Sequence, residues 1–360
     1  MKVDRIKAVK IGIFDPYLDT LGGGEKYILT IASCLADKHE VFLFWDNDLI
    51  LKKANERFGI SPGSLKLAKN IFSPETFFLK RILSTKKYDV IFYVSDGSIP
   101  TLLSKKNILI FQFPVNWVNG KNILTRLKLN KIQNVLCYSN FVKKFMDRTF
   151  NIDSVVLAPS VNSVKINKKK VNLILTVGRF TKAVNTKKQE VLIDVFKSMH
   201  NQGLSNWRFI VAGSVLSQDK MYIDELKKKV KKYPIEILEN VSFKTLLDYY
   251  NQSKIYWHAA GFGEDLKKFP ERAEHFGIST VEAMGAGAVP VVFNAGGQKE
   301  IVTNGENGFL WNSLDDLIEK TQLLINNEKL WLQMSDKAIR KARDFAGDRF
   351  CEELYKILDL

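Results

Sequence analysis

The sequence predicts two α/β domains in tandem, each built on a parallel sheet that is wrapped by helices. The chain has 360 residues, which is too long for a typical single-core domain. Short apolar runs alternate with helical patterns throughout, as in parallel sheets with helical crossovers. Hydrophobic residues make up 46% of the chain and charged residues 26%, which excludes disordered, collagen-like and coiled-coil proteins.

The first domain is predicted at residues 1–160. Its strands coincide with continuous apolar runs, as expected for strands that are buried on both faces. These runs lie at residues 9–14, 41–45, 90–94, 107–111, 135–138 and 155–157. Helices are predicted at residues 24–36, near 76–83 and at 140–149, and Ser139 is placed to cap the last of them.

The second domain is predicted at residues 161–345, and its first residues belong to a linker at residues 159–172 with almost no periodicity. Its strands are expected at residues 173–177, 207–212, 235–238, 255–258 and 289–293, and its helices near 188–199, 222–232, 243–252 and 279–286. Both domains would then be doubly wound, Rossmann-like units. Because ligands of such sheets bind beyond the carboxyl ends of the strands, we expect the two domains to face a common cleft.

Several features favour a cytoplasmic protein. No apolar run reaches the roughly 18–20 residues of a membrane-spanning helix, and the apolar stretch after the basic N-terminus is too short for a signal-peptide core. Cys34, Cys137 and Cys351 are odd in number and far apart, so they match neither a disulfide framework nor a zinc site. We therefore expect a reducing compartment.

The chain is basic, with a formal net charge of +15, and residues 1–160 carry most of the excess. Within residues 100–148, Asp147 is the only acidic residue among many Lys and Arg side chains. This pattern favours an anionic partner, which would be a phospholipid surface, a phosphorylated acceptor or a nucleic acid. The alternative is a solvated basic surface in a Lys-rich chain.

A glycine run, Gly22-Gly23-Gly24-Glu25, follows the first predicted strand and opens a helix. Consecutive glycines at a helix N-terminus allow backbone N–H groups to approach a phosphate, whose charge the helix dipole favours. The spacing is neither that of a dinucleotide-binding motif nor that of a P-loop. A plain tight turn explains the run about equally well.

The most informative segment lies at residues 257–308 and contains the pattern Glu274-x7-Glu282. Glu274 precedes a predicted helix, and Glu282 lies about one turn inside it. The free N–H groups of such a helix start can hold a diphosphate, while carboxylates accept hydrogen bonds from sugar hydroxyls. A nucleotide-sugar needs both kinds of group. The alternative is an ordinary helix whose N-terminal acid complements the dipole.

Two cations favour the nucleotide-sugar interpretation. Arg179 follows the strand at residues 173–177, and Lys187-Lys188 opens the next helix, so both ends of this loop are expected at the same carboxyl edge as Glu274. A fixed Arg and Lys, with helix N–H groups, would stabilise the charge of a departing diphosphate without a metal. The alternative for both side chains is solvation at the surface.

The order of these motifs resembles glycosyltransferase family 4, whose members are anomer-retaining enzymes of the two-domain GT-B fold that use nucleotide-sugars. The resemblance covers nearly the whole chain and is dense in the second half. The matching segments are Gly22-Gly23-Gly24-Glu25, Val177-Gly178-Arg179-Phe180, Lys187, Val211-Ala212-Gly213, Glu274-x7-Glu282-Ala-Met, Gly287-x2-Pro290-Val-Val and Gly296-Gly297-x2-Glu300-Ile-Val.

The resemblance implies roles for the matching residues. Glu282 would bind the donor ribose, and Glu274 would bind hydroxyls of the transferred sugar. Arg179 and Lys187 match the diphosphate-binding pair, although the loop at residues 181–186 is longer than is usual in the family. The sugar and β-phosphate would be bound by the backbone N–H groups of Phe276, Gly277, Ile278, Ser279 and Thr280. Gly23 and Gly24 would contact the donor phosphate, and Val241 would begin the loop that contacts the base.

The resemblance also implies a GDP- or UDP-sugar as co-substrate, with no separate cofactor and no metal. A C-terminal helix at residues 346–360 would cross back onto the first domain, with Phe350, Leu354, Ile357 and Leu358 on one side. One departure concerns Gln112, which stands where many members have a His. Glutamine can position a sugar hydroxyl but cannot act as a general base, and a structural role is the alternative. His258 can contact donor or acceptor, or be a core His satisfied by the backbone.

Local similarity around His258 and Glu274 to the α-1,2-mannosyltransferase of lipid-linked oligosaccharide assembly slightly favours GDP-mannose as donor. The amphipathic, basic stretch at residues 120–130 is suited to rest on an anionic bilayer, at the inner face of the membrane, and to present a lipid-linked acceptor. A core-facing helix with a basic back is the alternative.

Two other functions remain open from the sequence. The same fold hosts sugar-nucleotide epimerases and glycogen-type phosphorylases, because a fold does not determine chemistry. A basic protein that binds RNA or another anion without catalysis is the second, and it would need a basic stripe with stacking aromatic side chains. The sequence favours a hexosyltransferase that acts on a glycan or a lipid-linked acceptor.

Overall fold

The computed structural model describes residues 8–60, 63–161, 169–182 and 187–359. The chain divides into two compact units. Unit 1 comprises Met1–Ala158 and Asp348–Leu360, and unit 2 comprises Pro159–Gly347. Half of the linker predicted at residues 159–172 lies outside the described residues, namely 162–168, and so do residues 183–186 in the loop predicted to be unusually long. The last two predicted linker residues, Val171 and Asn172, belong instead to the first strand of unit 2.

Unit 1 contains a seven-stranded parallel sheet in the order β3-β2-β1-β4-β5-β6-β7. Its strands are β1 (Lys10–Phe14), β2 (Glu40–Phe44), β3 (Lys66–Ala68), β4 (Val90–Val94), β5 (Lys106–Phe111), β6 (Asn134–Cys137) and β7 (Val155–Val156). The six predicted strands are confirmed to within one residue at each end. The edge strand β3 is an additional finding, because three partly exposed residues produce no continuous apolar run.

Besides the C-terminal helix described below, five α-helices flank this sheet in the described part of unit 1. They are α1 (Gly23–Ala36), α2 (Leu49–Phe58), α3 (Phe78–Thr85), α4 (Ile123–Leu129) and α5 (Asn140–Phe150). The predicted helices correspond to α1, α3 and α5, and the Ser139 hydroxyl caps α5 by accepting a hydrogen bond from the Val142 N–H. The connections that contain α3, α4 and α5 run in one direction across the sheet, so right-handed crossovers place these helices on the same face.

Unit 2 contains a six-stranded parallel sheet in the order β10-β9-β8-β11-β12-β13. Its strands are β8 (Val171–Val177), β9 (Arg208–Gly213), β10 (Ile235–Glu239), β11 (Ser253–His258), β12 (Val289–Phe293) and β13 (Phe309–Trp311). The five predicted strands are confirmed. The short edge strand β13 is an additional finding.

The helices of unit 2 are α6 (Gln189–Asn201), α7 (Lys220–Val230), α8 (Phe243–Gln252), α9 (Ile278–Gly285), α10 (Gln298–Ile301), α11 (Leu314–Asn326) and α12 (Glu328–Ala342). The four predicted helices correspond to α6–α9, whereas α10–α12 are additional. No helix in the described part of either unit has the length and apolar character needed to span a membrane.

Each sheet contains one point at which the strand order reverses. In unit 1 it lies between β1 and β4, and in unit 2 between β8 and β11. The connections on the two sides of such a point lie on opposite faces of the sheet, which leaves a crevice at the carboxyl ends of the two strands. The residues that follow β1, β4, β8 and β11 are therefore the best placed to bind ligands.

The C-terminal helix, α13 (Gly347–Leu358), corrects the interpretation of the cysteines. Phe350, Leu354 and Leu358 are buried on one face of α13, and Cys34 and Cys351 form a disulfide with a Cα–Cα distance of 5.6 Å. The sequence spacing could not indicate this pair, because the helix returns to unit 1 only after the whole of unit 2. The inference of a reducing compartment from cysteine spacing thereby loses its basis.

We expect the disulfide to stabilise unit 1 by about 2–4 kcal/mol, because it tethers α13 to α1 and restricts the unfolded chain. Protein purified without reductant should show one titratable thiol in denaturant, that of Cys137, and three after reduction. Cys351→Ser and Cys34→Ser should each lower the melting temperature, and the double variant should lower it no further. Three thiols in the unreduced protein would contradict this prediction.

Candidate active site

Several of the predicted site residues of unit 2 lie at the carboxyl edge of its sheet, around the reversal point. Gly178 and Arg179 directly follow β8, and His258 is the last residue of β11. Lys187 precedes α6, and Glu274 lies in the loop before α9. This is the crevice in which doubly wound sheets bind their ligands.

The structure brings Lys187, His258 and Glu274 together. One carboxylate oxygen of Glu274, Oε2, lies 2.8 Å from Lys187 Nζ and 2.7 Å from His258 Nε2. The side chains of Lys187 and Glu274 are only 18% and 14% exposed. Burial alone would raise the pKa of Glu274, but the charge of Lys187 and the hydrogen bond from His258 outweigh burial and hold the pKa well below its usual range. Glu274 is therefore ionised near neutral pH and accepts hydrogen bonds only.

His258 is fixed by the core of unit 2. It is buried, and its backbone carbonyl accepts a hydrogen bond from the Trp311 indole N–H at 3.2 Å. Its Nδ1 atom is buried and has no hydrogen-bond partner among the described residues. The imidazole is thus oriented toward Glu274, and its Nε2 contacts a carboxylate and not a backbone group.

A glycine turn supports the backbone that carries Glu274. The Gly297 N–H donates to the Glu274 carbonyl at 2.8 Å. A Cβ atom at Gly296, where φ is +60°, would lie 2.1 Å from the Glu274 carbonyl oxygen, and one at Gly297 would lie 2.5 Å from the His275 carbonyl oxygen. Only residues without side chains allow this approach, which explains the Gly296-Gly297 pair of the sequence motif.

The loop that carries Lys187 is held in a similar way. A Cβ atom at Gly178 would lie 2.7 Å from Lys187 Cγ, so the lysine stem passes directly over this glycine. The Gln189 amide donates to the Arg179 carbonyl at 3.1 Å and to the Gly178 carbonyl at 3.3 Å. These contacts fix both ends of the loop.

The neighbouring lysine has a different partner. Lys188 Nζ lies 2.6 Å from Glu264 Oε1, and the Arg272 guanidinium lies 2.7 Å from Glu264 Oε2. Lys187, and not Lys188, therefore contacts the carboxylate of the Glu274-x7-Glu282 pattern.

Arg179 does not join this cluster. Its side chain is exposed, and it forms no hydrogen bond or ion pair with the residues that the structure describes. An unpaired guanidinium beside the crevice remains available for an anionic ligand.

The N-terminus of α9 offers donors beside Glu274. Gly277 precedes the helix with φ of +116°, a conformation that favours glycine. Within the described residues, the N–H groups of Phe276, Gly277, Ile278 and Ser279 have no backbone partner. The Thr280 N–H already donates to the Gly277 carbonyl at 3.0 Å, so it is less available to a ligand than the resemblance implies.

Two buried tyrosines connect α9 to its neighbours, Tyr256 from β11 and Tyr250 from α8. The Tyr256 hydroxyl contacts the Ser279 hydroxyl at 2.7 Å, and the Tyr250 hydroxyl donates to Glu282 Oε2 at 2.9 Å. Burial and the charge of Glu282 raise the pKa of Tyr250, so its hydroxyl stays protonated and orients the carboxylate.

Val241 and His275 also have defined neighbours in the structure. Val241 follows β10 and precedes Ser242, which caps α8. His275 Nε2 donates to the Glu271 carbonyl at 2.8 Å. Burial lowers the pKa of His275 to about 4, so this ring is neutral at physiological pH and holds the loop.

The remaining candidates lie in unit 1. Gly23 and Gly24 begin α1, and Gln112 Nε2 donates to the Gly24 carbonyl at 3.3 Å. The Tyr138 hydroxyl donates to the same carbonyl at 3.1 Å. A Cβ atom at Gly24 would lie 2.5 Å from Gln112 Oε1, so Gln112 requires a glycine there. These contacts favour the structural role of Gln112.

Sequence reasoning missed several residues that shape the site. These residues contact segments that are distant in sequence, so no local sequence pattern indicates them. They are Tyr250, Tyr256, Gln189 and Glu264. The Gly296-Gly297 pair, by contrast, already belonged to a matching motif segment, and the structure shows that it allows close backbone packing.

We expect strong energetic coupling between Lys187 and Glu274, because the pair is largely buried. A double-mutant cycle of Lys187→Met and Glu274→Gln in denaturant unfolding should give a coupling energy of about 1–3 kcal/mol. The half-exposed pair Lys66–Glu40 is a matched control and should give less than about 1 kcal/mol. Because the pKa of Glu274 is lowered, the coupling should persist at about pH 5 and disappear only in stronger acid. Equal coupling in both pairs would contradict the prediction.

Comparisons with known proteins identify the family and the fold. Residues 161–344 match the family model described as glycosyl transferases group 1. An uncharacterized glycosyltransferase of Haemophilus influenzae is 26% identical over 375 residues, which cover 97% of this chain and 99% of that protein. The GDP-Man:Man(3)GlcNAc(2)-PP-Dol alpha-1,2-mannosyltransferase of Dictyostelium discoideum is 25% identical over 234 residues, which cover 61% of this chain and 45% of that protein.

Two solved structures have the same fold. Anabaena HepE in complex with UDP and glucose aligns with a TM-score of 0.73 and 17% identity, covering 98% of this chain and 99% of that one. A glycosyltransferase from Rickettsia africae aligns with a TM-score of 0.74 and 16% identity over the same shares. The predicted fold class, GT-B with two doubly wound α/β domains, is confirmed. Since the family model spans more than half of the chain, the protein belongs to the group 1 glycosyltransferases.

Proposed function

We propose that this hexosyltransferase transfers a hexose, with mannose slightly favoured, from a nucleotide-sugar to a glycan or a lipid-linked acceptor, with retention of the anomeric configuration and without a metal. The observation that carries the proposal is the cluster of Lys187, His258 and Glu274 at the reversal point of the unit 2 sheet. It combines a cation for phosphate with an ionised carboxylate for sugar hydroxyls, beside free N–H groups at a helix start.

The leaving diphosphate is the first chemical problem that this arrangement addresses. Negative charge develops on the phosphate oxygens as the sugar departs, and fixed donors stabilise that charge best. Among the described residues, the Arg179 side chain has no partner and the N–H groups before and at the start of α9 have no backbone partner, while Lys187 is held over Gly178. In this proposal they bind the diphosphate together, and the dipole of α9 adds to the attraction.

Glu274 and Glu282 then hold the two sugars of the donor. Glu274 is ionised and can accept hydrogen bonds from hydroxyls of the transferred hexose. Glu282, oriented by Tyr250, binds the ribose hydroxyls, and Val241 begins the loop toward the base. Gly23 and Gly24 add backbone contacts to the donor phosphate.

Retention requires the acceptor hydroxyl to enter on the face from which the phosphate leaves. In the proposed mechanism the departing phosphate oxygen takes the acceptor's proton. Gln112 cannot titrate and is engaged with Gly24, so no step depends on it. His258 positions Glu274 and contacts the sugar region without transferring the proton.

Two findings support different bases of the donor nucleotide, guanine in one case and uracil in the other. A relative is named for GDP-mannose, and a solved structure with the same fold holds UDP and glucose. The local similarity around His258 and Glu274 gives GDP-mannose a slight preference.

The acceptor is proposed to be presented at an anionic membrane surface on the cytoplasmic side. Seven large apolar side chains of α3, α4 and the residue before α3 are more than half exposed; they are Phe77, Phe78, Leu79, Leu83, Ile123, Leu124 and Leu127. The same segments, residues 77–87 and 119–134, contain eight Lys and Arg residues and no acidic residue. An apolar surface ringed by cations suits the headgroup region of an anionic bilayer.

The helix arrangement concentrates this surface. The helices α3 and α4 lie on the same face of the unit 1 sheet, and each begins at the carboxyl edge of the strands. Their exposed first turns, which include Phe77 at 70% and Ile123 at 78% exposure, therefore lie toward one end of unit 1. This favours insertion of two helix ends over a flat electrostatic contact.

We expect the donor site to bind one nucleotide selectively, and thermal stability measures this binding. At one hundred times its Kd, the correct nucleotide should stabilise the protein by about 2.7 kcal/mol, which raises the melting temperature by roughly 5–10 °C. Glu282→Ala should abolish most of the shift, whereas Glu319→Ala, on an exposed face of α11, should not. No shift with UDP, GDP or their sugar conjugates would refute the donor proposal.

We expect binding to anionic membranes to depend on the exposed apolar side chains of α3 and α4. The double variants Phe77→Ser/Phe78→Ser and Ile123→Ser/Leu124→Ser should each bind phosphatidylglycerol vesicles about tenfold or more weakly in co-sedimentation, because each side chain buries substantial apolar area. Leu323→Ser/Leu332→Ser, at exposed positions of unit 2, is the matched control. Equal binding of all variants, or equal binding to phosphatidylcholine vesicles, would contradict the proposal.

A further inference from the structure

Two adjacent lysines before α6 pair with two different acids. Lys187 Nζ contacts Glu274, whereas Lys188 Nζ lies 2.6 Å from Glu264 Oε1. The proposed donor site uses the first pair and assigns no role to the second. The second pair is equally buried, since the Lys188 and Glu264 side chains are 17% and 15% exposed. A buried ion pair often adds little net stability compared with packed apolar side chains, so its place beside the site points to another role.

Lys188 has a backbone conformation that a lysine rarely adopts. Its φ of +54° and ψ of +39° are left-handed, and a residue with a Cβ atom is strained there. It is also the residue before α6, a position where Ser, Thr, Asp or Asn usually caps a helix, and its side chain provides no such cap. The side chain extends instead to Glu264. The left-handed turn is therefore held by a contact outside α6.

The conformation of Lys188 determines where Lys187 points. One planar peptide bond joins the two residues, so a change of φ at Lys188 rotates Lys187 relative to α6. In the structure the Lys187 stem passes over Gly178, with its Cγ 2.7 Å from the position of a Cβ atom there, and its Nζ lies 2.8 Å from Glu274 Oε2. An extended Lys188 would turn the stem away from both neighbours.

The loop that carries Glu264 is anchored on the core of unit 2. The Glu264 N–H donates to the Gly261 carbonyl at 3.2 Å. A Cβ atom at Gly261 would lie 3.5 Å from Ala273 Cα, so this turn lies against the segment that leads into α9. Phe262 packs on Trp311, with ring centroids 5.1 Å apart. Glu264 therefore has a fixed position next to the site.

Arg272 holds the second oxygen of Glu264. Its guanidinium lies 2.7 Å from Glu264 Oε2 and over the ring of Phe269. Hydrogen bonds from Arg272 and Lys188 hold the pKa of Glu264 below its usual range, so the carboxylate is ionised at neutral pH. Arg272 precedes Glu274 by two residues. The carboxylate of Glu264 thus joins the start of α6 to the segment that carries Glu274.

We propose that Glu264 is a positioning residue that directs Lys187 by holding Lys188 in the left-handed conformation. The inference rests on the proposed transferase function, in which Lys187 binds the donor diphosphate. Glu264 itself contacts no reacting atom. Removing its carboxylate releases Lys188 to a relaxed conformation, and Lys187 then loses its place between Gly178 and Glu274.

Electrostatics alone predicts the opposite effect of removing this charge. Glu264→Gln deletes a negative charge near a site for a diphosphate, so without a positioning role the variant should bind the anion more tightly. An amide has the shape of the carboxylate but a single acceptor oxygen, so it cannot hold both Lys188 and Arg272. Positioning therefore predicts weaker binding. The two explanations differ in sign.

The test compares nucleoside diphosphates with monophosphates, because a displaced Lys187 should impair binding of the ligand that has more phosphate to contact. The Kd values of UDP, UMP, GDP and GMP are measured by titration calorimetry with the full chain. Glu264→Gln should weaken binding of the preferred diphosphate about tenfold, as expected for the loss of one charge-assisted hydrogen bond, and should change its monophosphate much less. Glu225→Gln is the matched control. Its partner Lys182 lies in the same loop, but both side chains are more than half exposed, so all four Kd values should stay unchanged.

A second variant, Lys188→Gly, separates positioning from a general loss of stability. Glycine adopts the left-handed conformation without strain, so it should keep Lys187 in place without the ion pair. The double variant Glu264→Gln/Lys188→Gly should therefore bind the diphosphate as tightly as Lys188→Gly alone and more tightly than Glu264→Gln. An ion pair that only stabilises the fold would give no such rescue.

Either of two binding results would overturn the proposal: equal or tighter diphosphate binding by folded Glu264→Gln, or a loss that Lys188→Gly does not restore. Failure of the donor proposal looks different, because wild type would then bind none of the four nucleotides. The unfolding cycle of Lys187 and Glu274 needs no ligand and still decides in that case. Its coupling energy should fall by about half or more in the Glu264→Gln background, and an unchanged coupling energy would overturn the positioning role.

Discussion

Glu274 carries a negative charge within the carboxyl edge of unit 2, and much of the surrounding structure balances that charge. An unpaired buried carboxylate costs several kcal/mol, so Lys187 and His258 must lie within hydrogen-bond distance of it. Lys187 comes from a segment 87 residues away in sequence. The glycines at Gly178 and Gly296-Gly297 serve the same contact, because they allow the backbone segments that carry Lys187 and Glu274 to approach closely.

The framework of the fold could be predicted because it depends on local patterns. Continuous apolar runs located eleven strands, and Ser139 marked the start of α5 because an N-cap is a local hydrogen bond. The edge strands β3 and β13 have three residues each and leave no comparable pattern. The helices α11 and α12 are long and amphipathic, and their periodic apolar positions contained a signal that the sequence interpretation did not use.

The site was only partly predictable, for a different reason. Glu274, Glu282 and Lys187 lie in recognisable motifs, but the motif does not say which cation pairs with which acid. In the structure Lys187 pairs with Glu274 and Lys188 pairs with Glu264, while the Arg179 side chain has no partner in the part of the chain that is described. The same limit applies to Cys34 and Cys351, whose proximity depends on the path of the chain through all of unit 2. Pairing between distant segments is a tertiary property that spacing does not encode.

The carboxyl edges of the two sheets each contain a buried carboxyl group, and the two groups differ in protonation because their neighbours differ. Glu274 and Asp15 are largely buried acids, each at the reversal point of its sheet. Asp15 follows a strand and Glu274 precedes a helix, yet their pKa values are shifted in opposite directions. A lysine and a histidine keep Glu274 ionised, so it only accepts hydrogen bonds. Glu25 and burial keep Asp15 protonated, so it can donate one. Among the described residues no hydrogen-bonding group satisfies Asp15 Oδ2, and a proton on the carboxyl group costs the fold less there than a buried negative charge would.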